Sequence, residues 1–116
     1  MTCDVFDVVV VPFPFTDSPA AVRRPALVLS RPSFNRHGYT VLAMITDSRN
    51  APWPSDTEID PSPAGLKMAS VVRMKIFTLD NRLLIGKIGR LKPADRRKVS
   101  ASLATVVPLV PPHAGI

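Results

Sequence analysis

The sequence has very little of several residues on which common catalytic and structural sites depend. Its 116 residues include one cysteine, two histidines and five glycines. A single cysteine, Cys3, excludes an intrachain disulfide and suits a reducing cytoplasm. The glycines form no phosphate-cradling loop, and there is no metal-ligand spacing and no local serine–histidine–acid pattern. The classes of protein that such local motifs identify are therefore excluded.

Long apolar runs are also missing. No run approaches the roughly 20 residues that span a bilayer, and Asp4 and Asp7 interrupt the first apolar residues before they resemble a signal peptide. We therefore expect a cytoplasmic protein. At this length we expect one domain over residues 1–116, with a loose tail at 108–116 that contains Pro111 and Pro112.

The sequence has an excess of positive charge and many prolines. Fifteen basic and nine acidic residues give a net charge of +6, which favours polyanionic partners such as RNA, DNA or an acidic protein segment. Thirteen prolines cluster at the boundaries of apolar runs, and proline lacks the N–H group that a central strand needs. This pattern indicates strands separated by stiff loops.

The apolar periodicity predicts a mainly β protein with one helix. Strands are predicted at 5–13, 25–30, 40–46, 57–60, 68–79 and 85–91. Pro93 suits the first position of a helix over 93–107, where Val99, Leu103, Val106 and Val107 form an apolar stripe. Many short strands followed by a terminal helix predict a small, mainly antiparallel β-barrel.

Polar residues stand where these apolar runs begin or end. Arg24 precedes Pro25, and a residue before proline is pushed toward extended backbone, so its cation is held on a stiff strand entry. A guanidinium is a planar fork that matches two phosphate oxygens. Thr46 ends the third apolar run, where its hydroxyl can donate to a phosphate oxygen. By themselves, an arginine at a strand start and a β-branched residue in a strand are ordinary, and a phosphate site at these two residues follows only from the family resemblance described next.

In their order and spacing, these segments resemble the MazF/PemK family of toxin endoribonucleases. The resemblance covers about residues 7–107. The segments that carry it are Val11-Pro12-Phe13-Pro14-Phe15-Thr16-Asp17, Arg24-Pro25-Ala26-Leu27-Val28-Leu29-Ser30, Phe34-Asn35-Arg36, Ile45-Thr46, Gly65-Leu66-Lys67, Ser70-Val71-Val72-Arg73, Thr78-Leu79-Asp80 and Gly89-Arg90-Leu91.

The resemblance implies an SH3-like barrel that dimerises, with single-stranded RNA in a groove near the two-fold axis. It implies cleavage without a metal or cofactor, to 2′,3′-cyclic phosphate and 5′-hydroxyl ends. It also implies that Arg24, Thr46 and Arg73 are catalytic residues. The partner of such a toxin is an antitoxin whose acidic, disordered segment covers the basic groove.

RNA contacts are predicted from the two loops that set sequence preference in this family and from the start of the fifth strand. Trp53, in the second of these loops, can stack on an unpaired base. The predicted contact residues are Thr16, Asp17, Arg23, Ser48, Arg49, Asn50, Trp53, Lys67, Ser70 and Lys75.

The chain departs from the family pattern at two positions. Some members carry an acid two residues after the arginine that matches Arg73, and this chain has Lys75 there. The residue before Asp7 is usually glycine, and here it is Phe6. The acid–base pair of those members is therefore incomplete in this sequence.

Two other functions stay open at this point. The chain ends Ala114-Gly115-Ile116, and the CcdB gyrase poisons of the same fold end in tryptophan-glycine-isoleucine. A family member that binds RNA without cutting it is the second alternative, supported by Lys75. A ribonuclease built on paired histidines would require His37 and His113 to meet.

Overall fold

The computed structural model of the chain describes residues 1–14 and 20–109. Within these residues, six strands form one antiparallel sheet in the order β4-β5-β3-β2-β1-β6. The strands are β1 (Asp7–Phe13), β2 (Val22–Val28), β3 (Tyr39–Asp47), β4 (Thr57–Ile59), β5 (Ser70–Asp80) and β6 (Gly86–Arg90). The helices are α1 (Pro32–Asn35) and α2 (Pro93–Val106), with a 3-10 turn at Asn81–Leu83.

Both faces of the sheet are covered by apolar side chains, which explains why the strands read as continuous apolar runs. Successive residues of a strand point to opposite faces. Val8 accordingly joins a core with Ile45 and Val99, while Val9 and Val11 join a second core. Burial on both faces holds the middle strands rigidly and leaves their ends to carry polar groups.

The predicted fold class is confirmed: the chain is mainly β, antiparallel, with a C-terminal helix. All six predicted strands are present, with ends that differ by up to three residues. The short helix α1 lies between the second and third predicted strands, where no helix was predicted. None of the described helices is long and apolar enough to cross a membrane.

The predicted apolar stripe of α2 is wrong in its second half. Val99 is buried and Leu103 packs against the same core, but Val106 and Val107 are 44% and 48% exposed. The helix contacts β4 and β5, and its buried residues, Asp95 and Val99, lie in its first half. A hydrogen bond of 2.6 Å between Ser102 and Thr57 hydroxyls ties its middle to β4.

Phe6 adopts a left-handed backbone conformation, with φ of 72°. This conformation favours glycine, which is the residue usually found here in the family that the sequence resembles. The Phe6 ring packs against the first core. Phe6 thus combines a ring that contacts the core with a backbone conformation that disfavours residues carrying a side chain.

The turn at 61–66 packs tightly against β6 and leads directly into Lys67. Gly65 has a φ of 75°, and a Cβ there would overlap the backbone carbonyl of Ile88. The N–H of Arg90 donates to Pro63 O at 2.9 Å, which fixes the turn to the strand. The turn thus positions the chain that follows it, residues 66–68, beside β2 and β3.

Candidate functional site

The strand register brings Arg24 and Thr46 together. Ala26 of β2 pairs with Met44 of β3 in an antiparallel ladder. The same register, continued by two residues along each strand beyond the last pair, sets Arg24 opposite Thr46 on one face of the sheet. Pro25 interrupts the ladder between them because it has no N–H group to donate. The strand ends therefore open at this point, where a ligand can approach.

A cavity of about 240 Å³ lies at this opening, and we call it the Arg24–Thr46 pocket. Its walls come from β2, from the end of β3 and from the segment that enters β5. The lining residues are Arg24, Pro25, Ile45, Thr46, Asp47, Asn50, Leu66, Lys67, Met68 and Ser70. Two cations and several hydrogen-bonding groups thus face one small space.

A larger cavity of about 610 Å³ adjoins this pocket, and we call it the β6 groove. It shares Arg24, Pro25, Leu66 and Lys67 with the pocket. Its other lining residues are Val10, Arg23, Gly65, Ile85, Gly86 and Ile88. The combined surface is basic where the two cavities meet and apolar along β6, a combination that suits a nucleotide, with its charged phosphate and flat base.

The Arg24 side chain is exposed, and its guanidinium carbon lies 5.5 Å from the centre of the Phe13 ring. A cation over an aromatic face is attracted by the ring quadrupole. The exposed side chain also lines the Arg24–Thr46 pocket. The arginine is therefore steadied by Phe13 and can still bind an anion.

Thr46 is oriented by a neighbouring side chain. Asn50 Nδ2 donates a hydrogen bond of 2.7 Å to Thr46 Oγ1. A hydroxyl oxygen that accepts a bond keeps its own hydrogen as a donor. The Thr46 hydroxyl is thus set up to donate to an oxygen atom in the pocket.

Asp47 places a carboxylate in the same pocket. Arg49 contacts both carboxylate oxygens, with the shortest distance 2.7 Å. These side-chain hydrogen bonds, together with the Arg49 backbone N–H, lower the pKa of Asp47. Asp47 therefore stays ionised, and the charge of Arg49 offsets its repulsion of a phosphate.

Four other predicted contact residues, Ser48, Arg49, Trp53 and Lys75, do not line the pocket. Ser48 bonds to the carbonyl of Ala69, and Arg49 to Asp47. Lys75 lies with its Nζ 4.4 Å from the centre of the Trp53 ring. Of the predicted contact residues that the structure describes, Asn50, Lys67 and Ser70 line the pocket, and Arg23 lines the β6 groove.

Arg73 lies on β5, opposite Met44, and its guanidinium is directed into the loop between β3 and β4. It forms a two-point ion pair with Asp56, at 3.1 and 3.0 Å, and donates to Ala51 O at 2.8 Å. The structure thus does not bring Arg73 into the Arg24–Thr46 pocket. Asp56 supplies the carboxylate that pairs with Arg73. This chain has Lys75 at the position where some members of the family it resembles have an acidic residue.

Sequence reasoning missed Asp56 because it lies 17 residues before Arg73, and the fold of the loop joins them. Thr16 and Asp17 lie outside the described residues, as do His113 and the terminal Ala114-Gly115-Ile116. Among residues 1–14 and 20–109 there is no group of three or more histidine, cysteine or acidic side chains arranged to hold a metal ion.

Comparison with known proteins agrees with this geometry. The family model described as "PemK-like, MazF-like toxin of type II toxin-antitoxin system" matches residues 4–107. A search of curated proteins found no match.

Solved structures share the fold over nearly the whole chain. An endoribonuclease in complex with its cognate antitoxin from a mycobacterial species is 25% identical, with a TM-score of 0.70 over 96% of this chain and 98% of that one. MazE-MazF from Deinococcus radiodurans is 21% identical, with a TM-score of 0.76 over 95% and 100%. Mycobacterium tuberculosis toxin MazF-mt6 is 19% identical, with a TM-score of 0.72 over 90% and 98%.

Proposed function

Because this chain belongs to the PemK-like, MazF-like family of type II toxin–antitoxin toxins, we propose that it is an endoribonuclease that cuts single-stranded RNA without a metal ion. The observation that carries the proposal is the Arg24–Thr46 pocket. There an arginine fork, an oriented hydroxyl and Lys67 converge on a space that can hold a phosphate. The scissile phosphate would bind in that space.

The proposed reaction is an internal transesterification. The 2′-hydroxyl of the RNA attacks the adjacent phosphorus, its proton passes to a base, and the bond to the 5′-oxygen breaks as that oxygen gains a proton. The products are a 2′,3′-cyclic phosphate and a 5′-hydroxyl. Negative charge on the phosphoryl oxygens grows during the step, and preorganised donors that face it lower the barrier.

Arg24 and Thr46 take complementary roles in this proposal. Arg24 stabilises the charge on two phosphoryl oxygens through its fork. Arginine is in general a permanent cation in proteins, which suits it to electrostatic stabilisation and not to the role of a base. Thr46 donates its hydroxyl hydrogen to one of the same oxygens, in the orientation that Asn50 sets.

The surroundings of the pocket would hold the rest of the RNA. Lys67 and Arg23 line the basic part of the surface and can bind flanking phosphates, while Ile85 and Ile88 offer apolar contact to a base. Trp53 follows the pocket residue Asn50 by three positions, is 45% exposed and can stack on a base.

The partners are proposed from the same family. An acidic, disordered segment of an antitoxin would cover the basic pocket and the β6 groove, and two copies of the chain would form a dimer. The mycobacterial and D. radiodurans structures are themselves complexes of a toxin with an antitoxin.

Incubation with a long, mixed-sequence RNA in excess EDTA tests the proposed function. We expect discrete cuts, and sequencing of new 5′-hydroxyl ends should reveal a recognition sequence. Cleavage that requires added Mg²⁺ would contradict the metal-free reaction. Binding to RNA that weakens with salt, without any products, would instead support a protein that binds RNA and does not cut it.

Replacing Thr46 with valine should lower kcat by roughly 10- to 100-fold. A hydrogen bond to a charged group is worth about 1.5–3 kcal/mol, and a barrier change of about 1.4 kcal/mol is tenfold in rate. Valine keeps the β-branched shape, so the strand should be preserved. Single-turnover cleavage of a short RNA measures the effect. Thr46→Ser is the matched control, because it keeps the hydroxyl and should stay within a few-fold of the parent.

A further inference from the structure

The loop between β3 and β4 (residues 48–56, here called the β3–β4 loop) controls the orientation of Thr46. Asn50 belongs to this loop, and its amide is the donor to Thr46 Oγ1. The Asn50 side chain is exposed, so packing does not hold it in place. Its position therefore depends on how the loop backbone is held.

One guanidinium holds both halves of this loop. Arg73 donates to the carbonyl of Ala51, the residue that follows Asn50, and pairs with Asp56 at the end of the loop. The side chains of Arg73 and Asp56 are only 13% and 16% exposed. A shielded two-point pair is more rigid than a surface ion pair, because its geometry is fixed and water competes less.

The loop is folded tightly around this pair. Asp56 also accepts a bond of 3.0 Å from the Trp53 N–H, and its own N–H donates to Trp53 O at 3.1 Å. Ser55 has a φ of 63°, a conformation that costs a non-glycine residue about 1–2 kcal/mol. Such a conformation persists where the surrounding contacts over-determine it. Lys75 under the Trp53 ring is a further contact.

The charge of Arg73 is already matched within the loop. Burial alone would raise the pKa of Asp56, but the hydrogen bonds from Arg73 and from the Trp53 N–H outweigh it and hold that pKa below its ordinary value. Asp56 is thus a carboxylate at neutral pH. A phosphate would have to displace it to reach the Arg73 guanidinium.

We infer that Arg73 and Asp56 are positioning residues: their ion pair clamps the β3–β4 loop so that Asn50 directs the Thr46 hydroxyl toward the scissile phosphate. The catalytic consequence rests on the proposed function, whereas the clamping of the loop does not. Arg73 then acts through Ala51 and Asn50, and Arg24 and Lys67 supply the charge that faces the substrate.

Asp56→Asn separates this role from a direct phosphate contact by Arg73. The substitution keeps the size of the side chain and removes its charge. If Arg73 clamps the loop, kcat should fall about 5- to 10-fold, which corresponds to one lost neutral hydrogen bond, with little change in KM. If Arg73 instead binds phosphate, its release from Asp56 should preserve or raise kcat, and that result would overturn the inference.

Asp80→Asn is the matched control. It breaks an Asp–Arg pair, with Arg82 at 2.7 Å, at the opposite end of β5. We expect kcat to stay within twofold of the parent. An equal loss in both variants would mean that the effect of Asp56→Asn is general destabilisation, which contradicts a specific clamp.

A double variant tests the link through Asn50. Asn50→Ala removes the donor to Thr46 and leaves Arg73 unchanged. Because Asn50 is exposed, this variant should fold like the parent. Residues that act through one contact show non-additive effects. Adding Asp56→Asn to Asn50→Ala should therefore lower kcat less than twofold further. Full additivity would show that the clamp does not act through Asn50.

Trp53 reports on the loop without any activity measurement. It is the single tryptophan of the sequence, so all tryptophan fluorescence comes from this loop. Acrylamide should quench it more strongly in Asp56→Asn than in the parent or in Asp80→Asn. Unchanged quenching would refute the clamp, whatever happens to RNA. Raised quenching in a protein whose parent cuts no RNA would support the clamp and refute the proposed function.

Discussion

Replacing Arg24 with alanine should lower kcat for RNA cleavage by about 100- to 1,000-fold, the loss seen when one preorganised donor to a developing charge is removed. The side chain is exposed, so the fold should be unaffected. The loss should lie mainly in kcat, because Lys67 and Arg23 remain to bind the RNA backbone. Single-turnover cleavage in EDTA, with RNA affinity measured in parallel, checks both statements.

Two further variants locate the cause of that loss. Arg24→Lys keeps the charge but not the planar fork, so it should recover only part of the activity. Arg31→Ala removes one positive charge beyond the opposite end of β2, where it should change kcat less than twofold. If Arg31→Ala were as damaging as Arg24→Ala, net charge and not the pocket would govern the reaction. Full activity of Arg24→Ala would exclude the proposed mechanism.

Replacing Gly65 with alanine should reduce the free energy of unfolding by about 3 kcal/mol or more. The left-handed backbone costs an alanine about 1–2 kcal/mol, and the added Cβ would overlap the backbone of Ile88, which cannot move without breaking the packing of the turn on β6. For a domain of this size, a loss of about 3 kcal/mol corresponds to a Tm lower by about 12 °C. Thermal and urea unfolding measure the change.

The other glycines separate the two causes of this loss. A Cβ at Gly89 would lie 2.6 Å from Pro63 O, in the backbone of the same turn. Gly89→Ala therefore tests the effect of steric overlap alone. Gly38 has a φ of 114° with open space around it, and so tests the backbone conformation alone. Gly86 has neither constraint, and Gly86→Ala should be neutral or slightly stabilising. Equal stability of Gly65→Ala and Gly86→Ala would contradict the account.

The turn at 61–66 and the β3–β4 loop each contribute to the pocket. The turn at 61–66 places Lys67 against Arg24, and the β3–β4 loop places Asn50 against Thr46. A protein with a loosened turn should therefore lose RNA affinity before it unfolds, because Lys67 is the first charged residue beyond Gly65. The site thus consists of two strand ends held between two shaped loops.

Much of this was predictable from local sequence. The runs around Val8–Val11 and Leu42–Ile45 predicted buried strands because their residues are apolar at successive positions, and both faces of the sheet are buried. Pro25 after Arg24 predicted a stiff strand entry. The ordered motifs predicted the family, which the match over residues 4–107 confirms. In α2, the periodicity continued through Val106 although the core beneath the helix ended earlier.

The sequence by itself therefore determined the strands, the terminal helix and the family, because these depend on the local alternation of apolar residues and on the positions of proline and glycine. The tertiary structure decided which polar side chains meet. The pairing of Ala26 with Met44 sets Arg24 opposite Thr46, and the fold of the β3–β4 loop sets Asp56 on Arg73. Register and loop conformation come from packing between distant segments, and no single segment of the chain encodes them.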